Sequence, residues 1–351
     1  MSALLTTLGK PGLRASLPVL CLSGVVLLLA ACGDSSNGLT PAVTVQPAFT
    51  LVDPAGAPPV SSFENPSVTE ASGIQRSMRI AGLFWVNNDS GGDASVFATD
   101  ASGRNIGRIH LSGYVPTDWE DISAFVLDGR SYLALGDIGD NASRRDDLSI
   151  EIFPEPQLEQ LPAGFDLAIE DFSTIQLRYA DGSAHDCESM AIDAERDRIL
   201  IVTKEFTDPH AQSLWTAPLR AALAAGEADL EFQATLTGLD ASLLTPPDPA
   251  NPTGFGYAAA ATTGMDIRPD GGEIAILTYG QIYLWQRGAG ESWGEALARD
   301  PSGTLRVPAA GNNQAEGIGY SADGQWLLVV AEHNLAAQPP STLSVIGNPS
   351  D

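Results

Sequence analysis

Five short segments, four of them polar at the first residue and all apolar at the last, constrain this chain more than any other feature. They read Glu70-Ala-Ser-Gly-Ile74, Asp118-Trp-Glu-Asp-Ile122, Asp186-Cys-Glu-Ser-Met190, Ala261-Thr-Thr-Gly-Met265 and Gln314-Ala-Glu-Gly-Ile318. Aligned on the last residue, they are 48, 68, 75 and 53 residues apart. A second apolar run follows each one, at 83–86, 132–135, 199–202, 274–277 and 326–330. Third runs follow at 95–98, 148–153, 213–216, 281–285 and 342–346, and turn sequences such as Asp128-Gly129, Pro269-Asp270-Gly271 and Asp323-Gly324 separate neighbouring runs. Short β-rich runs divided by Gly and Asp turns are antiparallel strands.

A unit of three or four strands repeated every 50–75 residues predicts an all-β fold, a β-propeller. Five openings predict five blades, with six as the alternative if a degenerate blade lies between Leu230 and Ala260. The last unit shows only three strands, so an N-terminal strand at 48–52 is expected to supply the fourth and close the ring. Closure removes the unpaired edges that an open array would expose. The one strong helical signal spans 218–225, with Pro218 at its start and Gly226 at its end.

Residues 1–31 read as a signal peptide: Lys10 and Arg14 precede an apolar run from Leu17 to Ala31 that is short for a membrane span. Residues 32–66, rich in Ser, Gly, Pro and Thr, read as a flexible spacer, and 67–351 as the propeller domain. Cys21 leaves with the signal and Cys32 follows it, so Cys187 is the remaining thiol and no disulfide within the mature chain is expected. By strand alternation Cys187 faces the blade interior as an inert buried thiol.

The formal charge is −26, and loss of Lys10 and Arg14 takes it to −28. Such a surface repels nucleic acid and attracts divalent cations. After cleavage Lys204 is the sole lysine, at the end of a predicted strand.

In a propeller the first strand of each unit lines the central channel. Residues two apart share a face, which groups Glu70 with Ser72, Asp118 with Glu120, Asp186 with Glu188, Ala261 with Thr263 and Gln314 with Glu316. Strict alternation would send the following apolar residue the same way, so the acidic pairs are placed at the channel mouth, where the strand begins. Converging carboxylates repel, and a bound cation relieves that repulsion. Asp118, Glu120, Asp186, Glu188 and Glu316 are the candidate metal ligands, with calcium the cation that such hard oxygens suit. The alternative is a set of solvated carboxylates without metal.

His185, beside Asp186, is a candidate general base. Lys204 is expected either to hold an anion opposite the carboxylates or to pair with Glu205 or Glu188. No Gly-x-Ser-x-Gly elbow, His-Glu-x-x-His or P-loop sequence occurs, and Gly254-Phe-Gly256 lacks the strand-then-helix context of a dinucleotide loop.

Two resemblances extend this reading. Leu29-Ala30-Ala31-Cys32 resembles the lipobox of bacterial lipoproteins, which implies cleavage before Cys32, lipid on that cysteine and a membrane-tethered protein of the bacterial envelope, at the outer membrane or cell surface. The segments Asp118-Trp-Glu120-Asp-Ile, Gly136-Asp-Ile-Gly-Asp-Asn141, Glu188-Ser-Met-Ala-Ile-Asp193 and Glu316-Gly-Ile resemble secreted bacterial β-propellers, over about residues 66–347. In style they are similar to phytase-like and gluconolactonase-type calcium propellers. Those families imply hydrolysis of a phosphate ester or a lactone, but a phytase-like site would want several cationic side chains. The two function classes expected are therefore a propeller binding a small molecule or protein at an acidic channel mouth, monomeric and without nucleic acid, and a calcium-dependent hydrolase.

Overall fold

The computed structural model describes residues 49–89, 93–159, 161–205, 209–239, 260–279, 281–307, 313–333 and 341–348. Their first strand is the short β1 (Val60–Ser62). A first meander follows: β2 (Ala71–Arg76), β3 (Leu83–Asn88), β4 (Ser95–Asp100) and β5 (Gly107–Leu111). The second comprises β6 (Trp119–Leu127), β7 (Arg130–Asp137), β8 (Ser149–Pro154), an excursion β9 (Phe165–Ile169), and β10 (Ser173–Tyr179). The third holds β11 (Cys187–Asp193), β12 (Arg198–Thr203), β13 (Ser213–Ala217), helix α1 (Leu219–Ala225) and β14 (Glu227–Thr235). A fourth has β15 (Thr262–Ile267), β16 (Glu273–Thr278), β17 (Gln281–Gln286), helix α2 (Trp293–Leu297) and β18 (Gly303–Arg306). The last contains β19 (Asn313–Tyr320), β20 (Trp326–His333) and β21 (Thr342–Gly347).

The fold is all-β and propeller-like. The opening strands meet in cyclic order, β2 against β6, β6 against β11, β11 against β15, β15 against β19, and β19 against β2. Apolar side chains fill each seam between neighbouring meanders. Trp85 and Leu83 meet Trp119 and Leu133, Ile150 and Ile175 meet Met190 and Ile201, and Leu200 and Val202 meet Ile274 and Trp285. Ala275 and Leu277 meet Ile318 and Leu327, and Leu328 and Val330 close the circle against Ile74 and Phe84. The inner strands, such as β2, β4, β11, β13 and β16, run buried on both faces because they are packed between neighbours on either side, which is why their apolar runs are nearly continuous, whereas outer strands such as β9 and β18 alternate.

Closure uses the N-terminal segment, at a different place from the one expected. Val60–Ser62 pairs antiparallel with Thr342–Ser344 at the outer edge of the last sheet. Phe49–Val52 is not a strand; Ala48 lies outside the described residues. Instead, Val52 N donates to Asp100 Oδ2 at 2.9 Å, and Phe49 and Leu51 pack on the core between the first and second meanders. Phe63 is also buried, so the packed region begins well before the expected boundary at residue 67. Phe49–Val52 forms a part-buried segment without strand pairing, whereas the closing strand, Val-Ser-Ser, is too short and polar to stand out.

Two parallel pairings stitch the rim. Strand β9 leaves the second meander to lie beside β5, and β10 pairs with β14, merging the second and third meanders into one eight-stranded sheet. Helix α1 spans the expected residues, and its Gly226 caps it at φ 73°, with N–H to Ala222 O at 2.8 Å. Helix α2, unanticipated, begins with a capping box of Ser292 and Glu295. The degenerate blade sought between Leu230 and Ala260 is represented among described residues by β14, which belongs to the third meander; residues 240–259 lie outside them.

A β-bulge occurs in every opening strand, at the same place. The register shifts between Ala71 and Gly73, Trp119 and Asp121, Cys187 and Ser189, Thr262 and Gly264, and Ala315 and Gly317. The extra residues are therefore Ser72, Glu120, Glu188, Thr263 and Glu316. A bulge breaks strict alternation and re-aims a side chain. It explains how an acidic residue and an apolar residue two further on take different environments. In three strands the residue after the bulge is a glycine that lets its neighbours come close: a Cβ on Gly317 would lie 2.3 Å from Ser72 O, and one on Gly264 2.8 Å from Glu316 O.

Candidate acidic channel mouth

Glu120, Glu188 and Glu316, carried by three of the five bulges, are all buried. Ser72 Oγ, on a fourth, donates to Glu120 Oε2 at 3.2 Å, and Thr263 Oγ1 on the fifth donates to Ala315 O at 2.8 Å. Asp89, just past β3, and Asp118, just before β6, join Glu120: one carboxylate oxygen from each lies within 4.8 Å of the others. The loop after β7 completes this corner. A Cβ on Gly139 would fall 2.2 Å from Glu120 Oε1 and 2.5 Å from Asp118 Oδ2, so glycine is what lets the loop approach both carboxylates. The next residue, Asp140, donates its backbone N–H to Asp186 Oδ1 at 2.9 Å. Asp137 anchors the loop base, accepting from Thr117 N, Asp118 N, Tyr114 OH and Arg145 Nη2 at 2.8–3.0 Å. The oxygen-rich sequence Gly136–Asn141 is thus a support for the acidic corner.

Lys204 lies among these acids. Its backbone N–H donates to Asp186 O at 2.8 Å, and its ammonium pairs with Glu188 and donates to Tyr279 OH at 3.0 Å. Of the alternatives for this lysine, pairing with Glu188 is the one found. Among the described residues, two buried carboxylate oxygens nearby, Asp186 Oδ2 and Glu188 Oε2, have no hydrogen-bond partner. Across the mouth, Gln314 Nε2 donates to Glu316 Oε1 at 3.0 Å and also reaches Glu332.

The electrostatics follow from burial plus crowding. Burial, then the charge of Asp89, pushes the Asp118 carboxyl up to about 6. Glu120 is pushed well above the usual carboxylate range by burial and Asp89, with Lys204 pulling the other way. Burial raises Glu316 to about 8, with Lys204 opposing and Glu332 reinforcing the rise. Asp186, Glu332 and Glu70 also rise, in each case chiefly through burial. Desolvated like charges favour either bound protons or a bound cation.

The expected ligands divide accordingly. Asp118 and Glu120 share the closest oxygen cluster, to which Asp89 is an addition; Asp186 borders it through Asp140, whereas Glu188 is committed to Lys204 and Glu316 to Gln314. The Asn87-Asn88-Asp89 sequence at a strand end was visible, but strand pairing alone could not show that it meets the next unit's opening. His185 stands apart. Its ring packs on Tyr179 and Trp215, with centroids 4.8 and 5.5 Å away; Nε2 contacts Ser183 Oγ at 2.7 Å and Nδ1 lies 3.7 Å from Glu205. Cys187 is fully buried, its thiol donating to Val202 O at 3.1 Å. Cys32 lies outside the described residues.

Beyond the mouth, two aspartates that sequence reasoning passed over tie the opening strands together. Asp121 accepts from Ile122 N at 2.8 Å, Met190 N at 2.9 Å and Met265 N at 3.2 Å. Asp266 accepts from Ile267 N at 2.7 Å, Tyr320 N at 2.7 Å, Gln75 Nε2 at 2.9 Å and Arg76 Nη1 at 3.3 Å. Between them they bond to all five opening strands. Their signal was a charged residue flanking an apolar strand centre, where alternation calls for an interior side chain.

No family model matches the chain, and no curated protein matches it. Among solved structures, hydrazine synthase of Kuenenia stuttgartiensis is similar over 80% of this chain and 72% of its own, at 12% identity and a TM-score of 0.39. Chaetomium thermophilum Sqt1, in a complex with the N-terminus of ribosomal protein L10, is similar over 79% of this chain at 13% identity and a TM-score of 0.33. This chain spans 58% of the length of the Sqt1 chain.

Proposed function

We propose that this protein is a five-bladed β-propeller, tethered to the bacterial envelope by lipid on Cys32, that binds a divalent cation at its acidic channel mouth and presents it to a small-molecule or protein ligand. The observation that carries the reading is the convergence of Asp89, Asp118 and Glu120 beside Asp186 Oδ2, which has no hydrogen-bond partner among the described residues. Fully ionised, this set would repel itself strongly in a desolvated corner. All its donors are hard oxygens from several chain segments, which fits calcium rather than a thiolate- or imidazole-selecting metal. Asp89, Asp118, Glu120 and Asp186 would hold the ion, which supplies positive charge to an incoming anionic or carbonyl group.

The binding reading is preferred over hydrolysis because His185, the candidate base, has its ring in aromatic packing rather than at the mouth. Calcium titration by calorimetry tests the proposal. The wild type should bind one calcium, and Asp118→Asn and Glu120→Gln should each weaken binding at least about tenfold through loss of a charged ligand. Absence of binding in the wild type removes the cation from the reading.

A further inference from the structure

The channel has a second mouth, and its chemistry is opposite in kind. Past Asp266 the strands open into a cavity of about 340 Å³. Its wall includes Arg76 at the end of β2, Arg196 in the turn after β11 and Arg268 after β15, three cations in a chain of formal charge −26. The aspartates beside them are already satisfied. Asp266 accepts the four hydrogen bonds described above, and Asp193 accepts from Arg196 N at 3.1 Å, Arg196 Nη1 at 2.9 Å and Trp293 Nε1 at 2.8 Å. Glu195, the remaining carboxylate of the wall, is exposed to water.

The guanidinium groups retain donors. Among the described residues Arg76 engages only Nη1, with Gln75 and Asp266, and Arg196 likewise engages only Nη1. Nε and Nη2 of both are left for another acceptor. Arg268 is held in a two-point pair with Asp270, at 2.8 and 3.0 Å. Met78, Phe125 and Ala191 give the same cavity an apolar wall.

An arginine fork matches an anionic head with two oxygens, and an apolar wall favours a ligand with an organic body over a hydrated inorganic ion. We propose that this cavity binds a small organic anion, a carboxylate or phosphate monoester, with its head on Arg76 and Arg196 and its body against Phe125 and Met78. The site is separate from the acidic mouth, since Asp121 and Asp266 lie between the two.

Calorimetric titration of the full chain with benzoate, phenyl phosphate and inorganic phosphate tests this. At least one organic probe should bind the wild type, more tightly than inorganic phosphate; which one binds better identifies the head group. Arg196→Gln, on a partly exposed side chain whose loss leaves Asp193 bonded to Trp293, should weaken binding about tenfold or more. Arg76→Lys keeps a positive partner for Asp266 while removing the fork, and should also weaken it. Arg178→Gln, at an exposed rim arginine paired with Glu227 outside the cavity, should leave it unchanged. The proposal is overturned if neither organic probe binds, if both arginine variants bind as tightly as the wild type, or if inorganic phosphate binds as tightly as the better organic probe.

Discussion

Replacing Asp121 tests whether the ring is tied at its centre by side chain to backbone bonds. Its Oδ2 accepts amides from two other opening strands, Met190 on β11 and Met265 on β15, and its Oδ1 accepts Ile122 N. Burial pushes its pKa well up, while the three amides pull it down. In Asp121→Ala all three amides lose their acceptor in a buried place. Each orphaned donor costs about 1–3 kcal/mol, so the loss is about 3–9 kcal/mol, a large share of the ~5–15 kcal/mol that holds a domain folded. Asp121→Asn keeps one oxygen for Met190 and Met265 but sets an amide NH2 against Ile122 N, a single conflict of about 1–3 kcal/mol. Urea unfolding reads both. With an m-value of about 3 kcal/mol/M, the alanine variant should lower the midpoint by about 1–3 M and the asparagine variant by less. An alanine variant within about 0.2 M of the wild type, or one more stable than the asparagine variant, would refute the tie.

Three further outcomes follow from the mouth and the closure. Without divalent cations, stability should fall as pH rises from about 4.5 to about 8, because Glu316 holds its proton in the folded state and releases it when unfolded. Thermal melts across that range should show the decline, calcium should reverse it at the upper end, and a melting temperature rising with pH would contradict the burial of Glu316. Lys204→Met leaves the Glu188 carboxylate buried without its ion pair and should cost about 3–5 kcal/mol, most of it recovered by adding Glu188→Gln; equal losses in single and double variants by urea unfolding would deny the pairing. A chain beginning at Glu64 loses β1 and the buried Phe63, which alone contributes about 1.5–3 kcal/mol, and should also associate through the exposed β21 edge. Unchanged stability and a monomeric light-scattering profile would show that β1 closes nothing.

Much of the strand order was legible because both faces of the inner strands are buried, which leaves continuous apolar runs between Gly and Asp turns. The bulges were not, since an inserted residue changes pairing without changing composition. That is why Glu120 and Asp121, adjacent in sequence, could not be assigned to the mouth and to the inter-strand tie. The acidic corner was half legible: Asp118 and Glu120 came from the repeat, whereas Asp89 enters from the preceding meander across a contact that no local pattern encodes. His185 was drawn in by sequence adjacency to Asp186, yet its ring completes an aromatic cluster with Tyr179 and Trp215.

The parallel joins of β9 to β5 and β10 to β14 give the ring an uneven mechanical character. Three consecutive meanders are connected through backbone hydrogen bonds at the rim, so separating them requires breaking sheet as well as core. The fourth and fifth end in free outer strands, the four-residue β18 and the three-residue β1. Local opening, and with it the earliest amide exchange among the strands, belongs to that arc, which also carries the Glu316 side of the acidic mouth. The molecule is in this sense a stiff arc closed by a softer one, and a ligand bridging the mouth would act as a brace across the softer part.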